Sequence, residues 1–253
     1  MNKVKWLVAS MVAGMMAVSA GAEWERTVSA WDARLPAQGK IQASLWGGYW
    51  TWGEDGVDGT DMDATLYVNY GIADNWSVGV APSFYSWDVD GGDSESGLSD
   101  TGLMSTYRFM DEADAGFDFA AMGRVSLPTG DDDDGLGTGS VEPGLVLIAA
   151  KTLGPIVAVA NAGATLILDA DDGEEDFVVF ASLEGIYPLT DKLSVNGTFS
   201  LGTSRAEDGD EPVDIGLGAR FRPMEQFFVG GAAYVCLTDD YDWGGQIACG
   251  YEF

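Results

Sequence analysis

Apolar and polar residues alternate with a period of two along most of the chain. Leu193, Val195, Phe199 and Leu201 stand against Ser194, Asn196, Thr198 and Ser200. Val213, Ile215, Leu217, Ala219 and Phe221 stand against Asp214, Gly216, Gly218, Arg220 and Arg222. Around Phe117, Phe119, Ala121, Val125 and Leu127 the opposite positions carry Asp118, Arg124 and Ser126. Successive side chains of a strand point to opposite faces, so each stretch predicts a strand with one apolar face and one small or polar face. About twelve stretches of roughly 10 to 14 residues read this way. They lie near 39–52, 62–72, 75–87, 98–109, 116–127, 141–151, 155–168, 176–188, 192–204, 212–222, 226–237 and 243–253, and none sustains a helical period.

The connections alternate too. One set is short: Ala73-Asp74-Asn75, Thr152-Leu153-Gly154-Pro155, Thr190-Asp191-Lys192 and Met224-Glu225-Gln226, with a longer turn at 110–115. The other set is long and acidic: 53–61, 88–97, 128–140, 169–176, 205–211 and 238–242. Strands of at least about 9–11 residues, with short turns on one rim and long loops on the other, describe a transmembrane β-barrel. The expected fold is therefore all-β: a single antiparallel barrel of about 12 strands over 39–253, with short periplasmic turns and long acidic extracellular loops. A secreted β-sandwich is the rival, but its strands are shorter and its apolar faces pack on each other.

Both ends of the chain add to this. Lys3 and Lys5, the apolar run from Trp6 to Val18 and the small residues Ser19-Ala20-Gly21-Ala22 predict a signal peptide, 1–22, cut after Ala22. The apolar run is too short for a membrane-spanning helix. Residues 23–38 follow as an N-terminal periplasmic segment, and the pattern leaves open whether it plugs the barrel or trails outside it. The last strand closes on Tyr251 and Phe253, on one face with Gly245, Ile247 and Cys249. A closing aromatic of this kind looks like the C-terminal assembly signal of bacterial outer-membrane proteins, making the barrel assembly machinery an expected partner. Trp50, Trp52, Trp87 and Trp243 lie by the long loops, and Trp76, Phe109, Tyr187 and Phe253 by the short ones, predicting two interfacial girdles.

Composition narrows the function. Asp and Glu number 41 against 12 Lys and Arg, a formal charge of −29, which excludes the basic face of a nucleic-acid binder. There is no histidine, so Ser-His, Cys-His and His-metal catalysis are closed to the chain. The chain is 46% hydrophobic, which argues against disorder despite the acid.

By the alternation, Arg108, Asp118, Arg124, Glu184, Asp214, Arg220 and Arg222 point inward, because a charge on the lipid face costs about 2–4 kcal/mol at mid-depth. They either line a water-filled pore or form an ion-pair network that plugs it. Small inward residues, Gly71, Gly79, Ala81, Gly202, Gly216 and Gly218, leave room for a narrow passage. Asp131, Asp132, Asp133 and Asp134, with Asp169, Asp171 and Asp172, are dense oxygen clusters of the kind Ca²⁺ takes, although charge runs are most often solvated loops. No other cofactor is expected. Gly135, Gly137 and Gly139 lack the following Lys-Ser/Thr of a phosphate cradle. Cys236 and Cys249 form a disulfide candidate in an exported chain, with the hairpin tip between Asp242 and Trp243.

The run Ser126-Leu127-Pro128-Thr129-Gly130-Asp131, followed by Gly135-Leu136-Gly137-Thr138-Gly139-Ser140 and a strand ending Ala150-Lys151, resembles the meta-pathway of phenol degradation family. Arg34-Leu35-Pro36 to Gly39-Lys40 and Tyr70-Gly71-Ile72-Ala73-Asp74-Asn75-Trp76 are similar as well. Members of that family are outer-membrane β-barrels labelled as candidate transporters. The resemblance covers the mature chain through turn and strand signatures, and it implies fold, location and, loosely, uptake of hydrophobic or aromatic compounds. The tetra-aspartate 131–134 is more acidic than that pattern.

The leading expectation is a non-enzymatic channel in the outer membrane of a Gram-negative bacterium, passing small hydrophobic or aromatic solutes amid lipid and lipopolysaccharide. The alternative is a structural or surface-interaction barrel whose acidic loops, as Ca²⁺ candidates, are its working part. A lipase or protease barrel is disfavoured by the missing histidine.

Overall fold

A computed structural model describes Thr27 and residues 29–54, 57–170, 173–206, 209–238 and 241–253; the predicted signal peptide lies outside the described residues. The strands are β1 (Ile41–Glu54), β2 (Val57–Ala73), β3 (Trp76–Ala81), β4 (Ser83–Val89), β5 (Ser94–Leu98), β6 (Thr101–Met110) and β7 (Asp118–Leu127). They continue as β8 (Glu142–Leu153), β9 (Ile156–Leu166), β10 (Phe177–Pro188), β11 (Leu193–Gly202), β12 (Val213–Met224), β13 (Phe227–Cys236) and β14 (Trp243–Glu252). β1 pairs antiparallel with both β2 and β14, which closes the sheet. β2 pairs with β3 along its lower half and β4 along its upper half, while β3 pairs β6 and β4 pairs β5. The wall is thus a closed twelve-strand barrel in which two neighbouring strands are interrupted.

The interruption has a local cause. Pro82 has no N–H to give the ladder on its β6 side. Its carbonyl still accepts from Leu66 N at 3.1 Å, so the β2 side stays in register. Ala81 sits opposite Gly102 and Phe84 opposite Leu98, so one extra residue is fitted between Ser99 and Thr101. This bulge buries Asp100.

The short turns share one rim with the last residue of the chain, where Phe253 N donates to Ile41 O at 2.8 Å. The longest of them holds one helical turn, α1 (Glu112–Ala115), capped by the Asp111 side chain and ended by Gly116 at φ 81°.

The outer face is a continuous apolar belt. Leu217 and Ile247 are 72% and 73% exposed, and Leu45, Leu66, Leu103, Leu145 and Leu183 face the same way. A ring of such residues around the wall is a lipid-facing surface. The lower girdle stands as expected, with Trp76, Phe109, Tyr187 and Phe253 exposed. The upper one does not. Trp50 and Trp52 are buried in the lumen, because they share the inward phase of β1 with Ser44 and Trp46, opposite Leu45 and Tyr49. Trp87 donates its indole N–H to Asp134 O at 3.0 Å, tying it to the loop 128–140. Of those four tryptophans, Trp243 faces outward, against Tyr49 at 5.7 Å.

The segment 23–38 is not periplasmic in its described part. Thr27, Ser29–Ala33 and Leu35 are buried within the barrel. The reason is chemical: Met122, Val146, Ile148, Val159 and Ile186 point inward, and an apolar inner surface needs cover from water. Ala30, Trp31 and Ala33 join those residues in one core cluster.

Candidate functional site

The lumen is built by inward residues from every wall strand and by the segment threaded through it. The chain turns in at the lower rim, where Gly39 N donates to Gly71 O at 2.9 Å and Gly71 N to Lys40 O at 3.0 Å. The approach is so close that a Cβ on Gly71 would lie 2.2 Å from Ala37 O. Higher up, polar side chains of the wall catch the segment's backbone and Ser29. Ser29 N donates to Glu184 Oε2 at 3.1 Å, and the Ser29 hydroxyl shares a hydrogen bond with Tyr234 OH. Gln246 Nε2 donates to that same Tyr234 oxygen at 2.7 Å. Trp31 N donates to Asn161 Oδ1 at 2.7 Å while Asn161 Nδ2 returns a bond to Trp31 O at 2.9 Å, so one amide imitates a strand neighbour. Arg220 Nη1 donates to Thr27 O at 3.1 Å, its guanidinium lying 3.8 Å above the Phe228 ring. The Trp31 ring meets Tyr67 edge-on at 5.9 Å.

Around the barrel, Trp46, Tyr67, Ser77, Thr106, Met122, Ile148, Val159, Glu184, Asn196, Arg220, Phe228 and Gln246 are all buried. These represent each wall strand in turn, so inward side chains from all around the barrel are covered. The small inward residues do not leave the expected passage, because larger neighbours lie over them. A Cβ on Gly216 would meet the Tyr234 ring at 2.5 Å, and one on Gly218 the Asn196 amide at 2.5 Å. Large and small side chains interleave, as in a barrel whose interior is solid.

The predicted inward charges occupy three levels. Glu184 and Arg220 touch the threaded segment, as above. At the lower rim Asp118 accepts from Glu112 N at 2.8 Å, Arg108 reaches Asp74 O at 3.1 Å and Asp111 at 3.4 Å, and Arg222 is half-buried. Asp214 accepts from Ser200 Oγ at 3.1 Å in the upper half. Arg124 lines a cavity beside the wall interruption.

Above the segment, two fastenings hold the long loops. Asp100 accepts from Gly130 N at 3.0 Å, Thr138 N at 2.9 Å and Thr138 Oγ1 at 2.8 Å, pinning the loop 128–140 from both sides. Arg205, in the loop after β11, binds Glu142 at the start of β8 and Glu174 at 2.8 Å in the loop after β9. Burial pulls the Arg205 guanidinium down, and the two carboxylates more than restore it, holding it above its ordinary value. Neither residue stands out in the sequence. Asp100 lies at a break in the alternation, and Arg205 is a lone cation in an acidic loop.

The disulfide expectation is corrected. Cys236 and Cys249 are free. Val235 pairs Trp243 and Val229 pairs Cys249, so the hairpin turns earlier than its sequence centre. The sulfurs sit on opposite faces of the sheet, roughly 20 Å apart along the strand. Asp131, Asp132, Asp133, Asp134 and Asp169 are exposed, Asp169 with φ at 69°, and Asp171 and Asp172 lie outside the described residues. Among the described residues no three carboxylates or cysteines converge as a metal cluster.

Known structures bear on this geometry. The COG4313 outer membrane channel from Pseudomonas putida F1 superposes with a TM-score of 0.73 at 16% identity, covering 90% of this chain and 100% of that one. The beta domain of the Bordetella autotransporter BrkA gives 0.58 at 13% identity, with 85% and 100% covered. The KdgM porin gives 0.56 at 6% identity, with 83% and 99% covered. At such identities the likeness is one of fold, that of an outer-membrane β-barrel. With the apolar belt, it locates the chain in the outer membrane of a Gram-negative bacterium. No curated protein matches the chain in sequence. The family described as "Putative MetA-pathway of phenol degradation" matches residues 27–240, and the chain belongs to that family.

Proposed function

We propose that the protein is a passive outer-membrane channel for small hydrophobic or aromatic solutes, with Thr27 and residues 29–35 as the stopper that closes it. The observation that carries this reading is how the stopper is held. Side-chain hooks from Glu184, Tyr234, Asn161 and Arg220 catch it at separate points with one or two bonds each, in place of continuous strand pairing. Each such bond is worth about 0.5–1.5 kcal/mol, more where charged, so the segment is removable in a way that a wall strand is not. Its removal would bare an inner stripe of Met122, Val146, Ile148, Val159 and Ile186, a surface suited to solutes of low polarity. The Pseudomonas protein of similar fold is itself described as a channel, which supports the reading. The chain catalyses no reaction and uses no cofactor; its partners are lipid, lipopolysaccharide, the assembly machinery acting on Tyr251 and Phe253, and the solute.

The test is single-channel conductance of the refolded mature protein in planar bilayers, beside a variant lacking 23–38. Rare or brief steps from the mature chain and steady steps from the variant are expected. Silence from both, in barrels shown to be folded, overturns the channel. The second reading, a structural barrel with surface loops, draws on the covered inward side chains and on the loops fastened by Asp100 and Arg205.

A further inference from the structure

Asp61 and Asp63 stand side by side on the inward face of β2, near the upper mouth of the lumen. Asp61 is wholly buried and Asp63 half-buried. Among the described residues no lysine or arginine pairs with either carboxylate. A buried carboxylate needs a cation or a proton, and a like-charged neighbour adds to the need. The partners present are neutral donors. Trp52 Nε1 donates to Asp61 Oδ1 at 3.2 Å, and Trp50 Nε1 to Asp63 Oδ1 at 3.4 Å. Each indole holds one oxygen of its carboxylate and leaves Oδ2 over. Tyr85, opposite Asp63 on β4 and 3% exposed, turns its hydroxyl to Asp61. Neither that hydroxyl nor Asp61 Oδ2 completes a hydrogen bond. The wall is shaped to seat this cluster: a Cβ at Gly48 would run into the Asp63 carboxylate, and one at Gly59 into the Trp52 ring. A bare ion needs less room than a water. Ca²⁺ sits about 2.3–2.6 Å from its oxygens, closer than the roughly 2.7–2.8 Å of a hydroxyl hydrogen bond.

We propose that Asp61, Asp63 and Tyr85 form a Ca²⁺ site on the inner wall, joining β2 to β4, with lumen water beside Asp63 completing the shell. The charge of the ion matches the pair, and its flexible shell of about 6–8 oxygens accepts mixed donors, whereas Mg²⁺ demands a near-ideal octahedron. The ion is structural, and the site does not depend on whether the barrel conducts.

The experiment is thermal unfolding of the refolded mature barrel in detergent at about 0.15 M NaCl, first in EDTA and then across a CaCl₂ titration. Asp61→Asn, Tyr85→Phe and a loop variant, D131N/D132N/D133N/D134N, run alongside. Sub-millimolar calcium should raise the wild-type unfolding temperature saturably, and that of the loop variant by the same amount. Asp61→Asn should unfold at or above wild type in EDTA, because it removes an uncompensated charge, and below wild type in calcium. Tyr85→Phe, which keeps the ring, should need about threefold more calcium or above. No saturable shift in folded wild-type protein overturns the proposal. So does a shift that Asp61→Asn keeps, or one that the loop variant loses. Stability that ignores calcium but rises on acidification assigns the pair a shared proton, and overturns it too.

Discussion

Two pieces of non-strand chain close this barrel, one from each end, and they are fastened differently. From below, the stopper is buried in an apolar core and caught mostly by neutral hydrogen bonds, with Glu184 and Arg220 as charged exceptions. From above, the loops are fastened by full charges: Asp100 on backbone N–H groups, Arg205 between Glu142 and Glu174. A neutral hook costs little when lost, because its partner can turn to water as the segment leaves. Removing one member of a buried ion cluster strands the others. The upper closure is therefore the costlier of the two to undo.

That contrast can be broken in several places. Arg205→Ala and Arg205→Met both leave Glu142 and Glu174 buried without their cation, and each should destabilise the barrel by about 3–5 kcal/mol, the Met variant only slightly less because it keeps part of the packing. Thermal unfolding in detergent checks both, and an Arg205→Met variant as stable as wild type would mean that shape rather than charge matters there. Asp100→Ala removes the acceptor of two backbone N–H groups at a cost of about 1.5–3 kcal/mol, and limited proteolysis should then cut within 128–140. Asn161→Ala takes both bonds from Trp31; about 1–2 kcal/mol is expected, read as a higher open fraction in bilayers with little change in unfolding temperature. If the global stability falls instead, the stopper belongs to the core and is not a gate. The smallest change sharpens the hinge: Gly71→Ala pushes a methyl into the Ala37 carbonyl, and should raise the open fraction without touching any hook.

How far the sequence reaches follows from what each feature depends on. The twelve wall strands are legible because a strand between lipid and lumen must alternate, residue by residue, whatever its neighbours are. Leu193 to Leu201 and Val213 to Phe221 declare their faces locally, and they lie in β11 and β12. At Trp50 and Trp52 the phase of β1 decides the side, and nearness to a long loop is a poor guide. The alternation also breaks down between Pro82 and Thr101, where a bulge moves Asp100 inward.

The remaining features depend on register and on partners distant in the chain. Cys236 and Cys249 look pairable by spacing alone, yet one residue of register reverses a face and several residues separate the sulfurs beyond bonding. Asn161 reads as an ordinary inward polar residue; its meaning comes from Trp31, 130 positions away, entering the lumen. Alternation is a local consequence of two unlike solvents on either side of one wall, so the chain carries it plainly. What fills the lumen is settled by volume and unmet hydrogen bonds summed over all twelve strands, which no single stretch contains.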